Sequence, residues 1–267
     1  MRLLLCTVLL TIGAVQAQIR VTDDYGNEVA LKTPAQRIVS LSPHLTELVY
    51  AAGAGAKLVG AVDFSDFPPE ARRLPRVGSD AAIDLEAVLA LRPDLIVAWP
   101  NAGSLRAVNR LAELGIPTFR SEPRELEDIP RTIEKLGALA VTSSGAAASF
   151  RKRAGELEKR YSRRPPVRVF YQVWDRPLQT INGDHVISKV IRLCGGQNVF
   201  ATAPTLAPEI DREALLRARP EVTITSIANT PPPAHFIPGE LIQRHTPRLL
   251  DGAERLCRIL EAARTAR

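Results

Sequence analysis

The chain has 267 residues, of which 45% are hydrophobic and 24% charged. These values suit a folded globular protein and exclude disorder, collagen or coiled coil as its main state. The length allows one large domain or two small ones. The formal charge of +6 is spread over scattered arginines (Arg72, Arg73, Arg76, Arg106, Arg110, Arg163, Arg164), and aromatic residues are only 5%. A base-stacking surface has little material here, so the arginines read as a solvated face and nucleic acid is not an expected partner.

The chain opens like a secretory leader. Arg2 gives the positive start, residues 3–15 are an apolar run, and Val15-Gln16-Ala17 is a small-residue cleavage site with the cut expected after Ala17. The run is too short to span a bilayer, and no later run is long enough. Removal of Arg2 takes the formal charge from +6 to +5. Cys6 would leave with the leader. Cys194 and Cys257 remain, an even count that fits one disulfide in an oxidising compartment or, alternatively, two buried free thiols.

Past the leader, residues 20–31 alternate around an Asp-Tyr-Gly-Asn turn and predict a hairpin. Ile38-Val39-Ser40-Leu41 predicts a strand, and Ser42-Pro43 starts a helix that ends at Gly53 and Gly55. Strands follow at residues 58–62, 95–99 and 117–119, with helices at 84–91 and 105–114 between them. Short apolar strands alternating with helices imply parallel sheets covered by helices.

Residues 83–97 and 210–224 are alike, with seven of 15 pairs identical at an offset of 127. Each copy reads as a capped helix, an Arg-Pro stop and a buried strand. Asp84 and Asp211 are the expected N-caps, and Glu86 and Glu213 fall in the first turns. Duplication of a lobe explains the offset. Between the copies, residues 143–161 are rich in helix formers and end at Arg163-Arg164-Pro165-Pro166. They predict one connecting helix of about 25 Å. The expected organisation is a leader at 1–17, an α/β lobe at 18–142, a connecting helix at 143–164 and a second α/β lobe at 165–267.

Catalytic signatures are absent from the sequence. It has no phosphate-binding glycine loop, no Gly-x-Ser-x-Gly elbow, and no pair among His44, His185, His235 and His245 at metal-ligand spacing. The histidines read as surface or hydrogen-bonding residues. Asp63 and Asp66 precede Pro68-Pro69 and read as turn residues. No catalytic residue and no metal site is expected. What remains is a set of aromatics just past predicted strands: Phe64, Phe67, Trp99 and Trp174. Ligands bind beyond the carboxyl ends of parallel strands, so these rings are expected to face a cleft suited to a large flat ligand.

With these stretches in view, the chain resembles the helical-backbone (class III) periplasmic substrate-binding proteins of ABC importers, and among them the cobalamin-binding members. The resemblance rests on Arg37-Ile38-Val39-Ser40-Leu41-Ser42-Pro43, Phe64-Ser65-Asp66-Phe67-Pro68-Pro69, Tyr171-Gln172-Val173-Trp174 and Cys194-Gly195-Gly196-Gln197-Asn198-Val199-Phe200. It implies an α/β fold of two Rossmann-like lobes joined by one long helix, a periplasmic location, a monomer, and no cofactor beyond the transported corrinoid. It implies ligand contacts at Phe64, Trp99, Trp174, Glu240, Leu241, Ile242, Gln243 and Arg244. It also implies a Cys194–Cys257 disulfide, and docking of Glu86 and Glu213 on the permease. The same scaffold carrying a ferric siderophore or haem is the nearest alternative, and a secreted α/β hydrolase is the alternative from another class. Two family tryptophans fall on Asp80 and near Leu206-Ala207. The stretch between Ile224 and Phe236 is short, so the second lobe is expected to lack one crossover helix.

Overall fold

The computed structural model describes residues 18–266. The expected leader lies outside the described residues. Strands β1 (Ile19–Thr22) and β2 (Glu28–Leu31) form the expected hairpin. Its turn is held by Asp23, whose Oδ1 accepts the backbone N–H groups of Tyr25 and Asn27 at 2.9 and 2.8 Å. Gly26 supplies the left-handed φ of +80° that this turn needs.

The first lobe is a parallel sheet of β3 (Ile38–Ser40), β4 (Leu58–Ala61), β5 (Leu95–Ala98) and β6 (Thr118–Arg120). The strand order is β4-β3-β5-β6. Helices α1 (Pro43–Ala51), α2 (Leu85–Ala90) and α3 (Leu105–Glu113) lie between the strands, and α4 (Asp128–Ala140) follows them. The connecting helix is α5 (Ala146–Tyr161). The second lobe contains β7 (Val167–Gln172), α6 (Val186–Leu193), β8 (Gly196–Asn198), α7 (Arg212–Ala218), β9 (Val222–Thr225) and β10 (Ala234–Phe236). Its sheet is also parallel, in the order β8-β7-β9-β10, which is the winding of the first lobe strand for strand. Helices α8 (Gly239–Ile242) and α9 (Leu249–Thr265) complete the chain. Helices α4, α6, α8 and α9 and strands β8 and β10 add to the elements expected from the sequence.

The internal repeat extends beyond its 15 residues. Asp84 Oδ1 caps Ala87 N at 3.0 Å and Asp211 Oδ1 caps Ala214 N at 2.5 Å. After each helix an arginine, Arg92 or Arg219, takes a left-handed φ, +46° or +44°. One further arginine per lobe braces that turn. Arg37 donates to the Leu91 and Arg92 carbonyls, and Arg168 donates to the Ala218 and Arg219 carbonyls. Duplication thus shows in the topology, the caps and the braces.

The lobes differ where the sequence is short. Residues 226–233 link β9 to β10 without a helix, so α3 has no counterpart. In the first lobe Val39, Ile96, Val108 and Leu111 form a second buried cluster beneath α2 and α3. In the second lobe Thr223 takes the place of Ile96 and is half-buried, α7 buries no residue fully, and Phe236 is exposed. The larger cluster is continuous. It runs from Leu48 and Leu136 in the first lobe through Ala147, Phe150 and Tyr161 of α5 to Val169, Ile191 and Leu256. Within it Cys194 and Cys257 are fully buried and disulfide-bonded, with Cα atoms 4.7 Å apart. The bond ties the C-terminus of α6 to the middle of α9.

Candidate ligand-binding cleft

The carboxyl ends of both sheets open onto a cavity of about 800 Å³. Trp99 directly follows β5, Glu122 to Glu125 follow β6, and Val173 follows β7; all of these line the cavity. Beyond β10, Gln243 and His245 line it too. Ligands collect in the crevice outside the carboxyl ends of parallel α/β sheets, where the loops that follow the strands line it.

The first-lobe wall is fixed by short-range hydrogen bonds. Ser104 Oγ donates to the Trp99 carbonyl at 3.0 Å, and Asn101 Oδ1 accepts the Gly103 and Ser104 N–H groups. His44 meets the Trp99 ring edge-on, with centroids 5.8 Å apart. In the second lobe the buried Tyr171 hydroxyl lies 3.1 Å from Ser226 Oγ, which also accepts from Gln243 Nε2 at 2.7 Å. These contacts place an indole, a phenol and an amide on the walls.

The residues implied by the family resemblance fall into four groups. Trp99 and Gln243 line the main cavity. Glu240, Arg244 and again Gln243 line a smaller charged pocket of about 490 Å³. Phe64 is 75% exposed and Trp174 57% exposed, outside the lining of either space. Phe64 holds a φ of +61°, a strained conformation for an aromatic residue, of the sort that collects at binding sites. Trp174 donates from Nε1 to the Arg176 carbonyl at 3.1 Å and heads a tight loop closed by Val173 and Gln179. Leu241 packs against the main core, and Ile242 is fully buried within it. Of the two positions where family tryptophans are replaced, Leu206 lines the cavity and Asp80 does not.

Arg244 is engaged in joining the lobes. Glu47 on α1 is only 3% exposed and accepts from Arg244 Nη1 at 3.0 Å and from Arg248 at 2.6 and 2.9 Å. Arg244 also reaches Asp66 at 2.7 Å and the Phe64 carbonyl at 3.1 Å. Burial pulls the Asp66 carboxyl upward, but Arg244 outweighs it and holds that carboxyl below its usual range. Arg248 lies over the Phe67 ring at 4.0 Å. One buried carboxylate thus anchors two arginines across the lobe boundary.

Three histidines meet at the cleft, two of them (His185 and His245) in its lining and His44 packed behind, which their sequence spacing conceals. His245 lies between His44 and His185, with ring centroids 6.2 and 6.3 Å away. Burial lowers His44 to about 3, and burial lowers His185 and His245 to about 4, so all three are neutral at neutral pH. His185 Nδ1 accepts the Ile187 N–H at 3.1 Å, which leaves its proton on Nε2 as a donor. His44 Nδ1 pairs with Ser42 Oγ at 2.6 Å. Only the folded chain brings these residues together, since they stand 141 and 60 positions apart. Among the described residues no group of three or more His, Cys, Asp or Glu is arranged to hold a metal ion.

Glu86 and Glu213 occupy equivalent first turns and are both exposed. Glu213 pairs with Arg217 at 3.0 Å, whereas Glu86 stands opposite Ala90.

The chain has several known likenesses. The vitamin B12-binding protein of Vibrio cholerae is 36% identical over 254 residues, which cover 86% of this chain and 91% of that protein. The protein of the same name from Yersinia pestis is 36% identical over 239 residues, 84% of this chain and 85% of that one. The crystal structure of the periplasmic vitamin B12-binding protein of Vibrio cholerae superposes with a TM-score of 0.78, covering 86% of this chain and 98% of that one. A periplasmic haem-binding protein from Roseiflexus shares the fold at a TM-score of 0.73 and 21% identity, over 86% and 99% of the two chains. The family model described as periplasmic binding protein matches residues 38–244. With two like-wound α/β lobes, one connecting helix and a cleft at the strand ends, this chain belongs to the periplasmic binding protein family, whose members bind solutes and are not enzymes.

Proposed function

We propose that this protein captures cobalamin or a related corrinoid in the cleft between its lobes and delivers it to the permease of an ABC importer. The single observation that carries the reading is the 36% identity to a vitamin B12-binding protein over most of both chains. The cleft's chemistry supports it. A corrin is a large ring edged with amides. The cavity offers an indole face at Trp99 and neutral hydrogen-bonding groups at Asn182, His185, Gln243 and His245. Phe64 and Trp174, exposed near the strand ends, are assigned to close over the bound ring. The protein acts in the periplasm as a monomer, after a leader is removed behind Ala17. Its lobes are assigned to residues 18–142 and 165–267. Glu86 and Glu213, one per lobe, are the expected contacts for arginines of a two-fold permease, since a carboxylate accepts a planar guanidinium bidentately.

Haem is the second reading, and one observation favours it: His185 and His245 line the cavity and could offer imidazole to iron. Titration of the processed protein with cobalamin, cobinamide and haemin, followed by tryptophan quenching, separates the two. Micromolar or tighter quenching by both corrinoids is expected. Quenching by haemin alone would overturn the corrinoid assignment. Replacing both Trp99 and Trp174 with Ala is expected to cost about 2 kcal/mol or more of cobalamin binding, the usual loss for desolvated aromatic anchors. Unchanged affinity in that variant would remove both rings from the site.

A further inference from the structure

A haem-binding protein shares the fold, so the fold alone does not distinguish a carboxylate-bearing macrocycle from an amide-edged one. The charges that face the cleft are therefore informative. The cavity is lined by three carboxylates, Glu122, Glu125 and Asp184, and by two cations, Arg124 and Lys189. Each cation already has a carboxylate partner. Lys189, on α6 in the second lobe, is 2.8 Å from Glu125 of the first lobe, and its side chain is only 14% exposed. Arg124 is 3.2 Å from Glu122. Both acids lie in the short segment between β6 and α4. The histidines add no charge at neutral pH, so the lining carries a net charge of −1.

We infer that Glu122 and Glu125 are specificity determinants, which neutralise Arg124 and Lys189 so that the cleft admits amide-edged macrocycles and rejects macrocycles that carry carboxylates. The inference rests on the corrinoid reading above. Its chemistry is elementary. Haem brings two propionates, and each needs a donor cation or a solvated position. In this cleft the cations are already paired, and an added carboxylate meets a lining whose net charge is −1. An amide edge carries no charge, so the same lining does not penalise it. Lys189 is the more consequential cation, because it is the more buried and its pair spans the lobe boundary.

The test is a pair of charge-neutral substitutions of similar shape, Glu122→Gln with Glu125→Gln. They turn the lining from net −1 to net +1 and release both cations. Haemin affinity, read from the Soret band, is expected to rise at least tenfold, and the gain is expected to shrink as salt is raised. Cobalamin affinity is expected to change by a smaller factor than haemin affinity, and an equal gain for both ligands also overturns the inference. Adding Arg124→Gln and Lys189→Gln to the pair removes the released cations and is expected to abolish the gain. A Glu156→Gln control on α5 is expected to change neither ligand. Far-ultraviolet dichroism and melting temperature confirm that each variant is folded. Unchanged haemin affinity in the folded double variant overturns the inference, and so does a gain that survives loss of both cations. Failure of the underlying reading looks different: the unaltered protein would then ignore cobalamin and bind haemin tightly.

Discussion

The three cleft histidines make stability depend on pH in a calculable way. In the folded chain burial lowers His44 to about 3, and His185 and His245 to about 4. His245 and Arg244 add repulsion at His44, and His185 adds it at His245. An unfolded imidazole titrates near 6.5. Between about pH 6.5 and 4 the unfolded chain therefore binds protons that the folded chain refuses, and stability falls as pH falls through this window. Above about 6.5 the contribution is fully present. At about pH 5.5 each unfolded imidazole gains about 1.4 kcal/mol from protonation, so the three together remove about 4 kcal/mol relative to pH 7.5. That is a large share of the 5–15 kcal/mol typical of a folded domain. Carboxylates titrate mostly below this window, so the measurement isolates the imidazoles. Urea unfolding at the two pH values, followed by dichroism, gives the difference directly. His245→Asn should reduce it by about a third. A difference below about 1 kcal/mol, or one that persists when all three residues are replaced, would refute the reasoning.

Replacing Cys194 and Cys257 with Ala opens a loop of 63 residues, and chain entropy sets the expected loss at about 4 kcal/mol; an unchanged urea midpoint in protein exported in oxidised form contradicts it. Val141 is a β-branched residue at φ +50° that caps α4 and is exposed, so Val141→Gly should stabilise the chain by about 1 kcal/mol; a lower melting temperature counts against the strain argument. Glu86→Lys with Glu213→Lys should leave cobalamin affinity unchanged while slowing uptake at limiting cobalamin. Normal uptake in cells carrying that variant would reduce both residues to partners of the helix dipole. Glu47→Ala strands Arg248 at the lobe boundary, while Arg244 keeps Asp66 and the Phe64 carbonyl, and should destabilise the chain by about 3 kcal/mol; a loss under about 1 kcal/mol in urea unfolding would show that Arg248 finds another partner.

Local grammar was readable where sequence spacing carries it. The caps at Asp84 and Asp211, the hairpin turn at Asp23, the strands of the first sheet and β7 and β9 of the second follow from short patterns, whereas β8 and β10 have no such pattern. The missing crossover helix was legible twice over, in the short link before Ala234 and in the change from Leu-Ile-Val-Ala in β5 to Val-Thr-Ile-Thr in β9. A parallel strand buried on both faces reads as a continuous apolar run, whereas alternation marks one open face. Cleft chemistry was less legible. His44, His185 and His245 are far apart in sequence and have no motif, and Glu122, Arg124 and Glu125 look like any charged loop. Arg244 shows the opposite limit. Its position near the ligand segment was readable, but its engagement with Glu47 depends on a partner almost 200 residues away.

The buried cluster that passes through Phe150 and Tyr161 of the connecting helix bears on cooperativity. Neither lobe can come apart without stripping water-excluded surface from α5, and α5 in turn packs against α4 on one side and α9 on the other. The disulfide binds α9, the last helix, to the same region. Calorimetry should record one transition whose van't Hoff and calorimetric enthalpies agree. Either lobe expressed by itself would expose the faces that α5 and α9 now cover. The duplicated lobes are two architectural units and one thermodynamic unit.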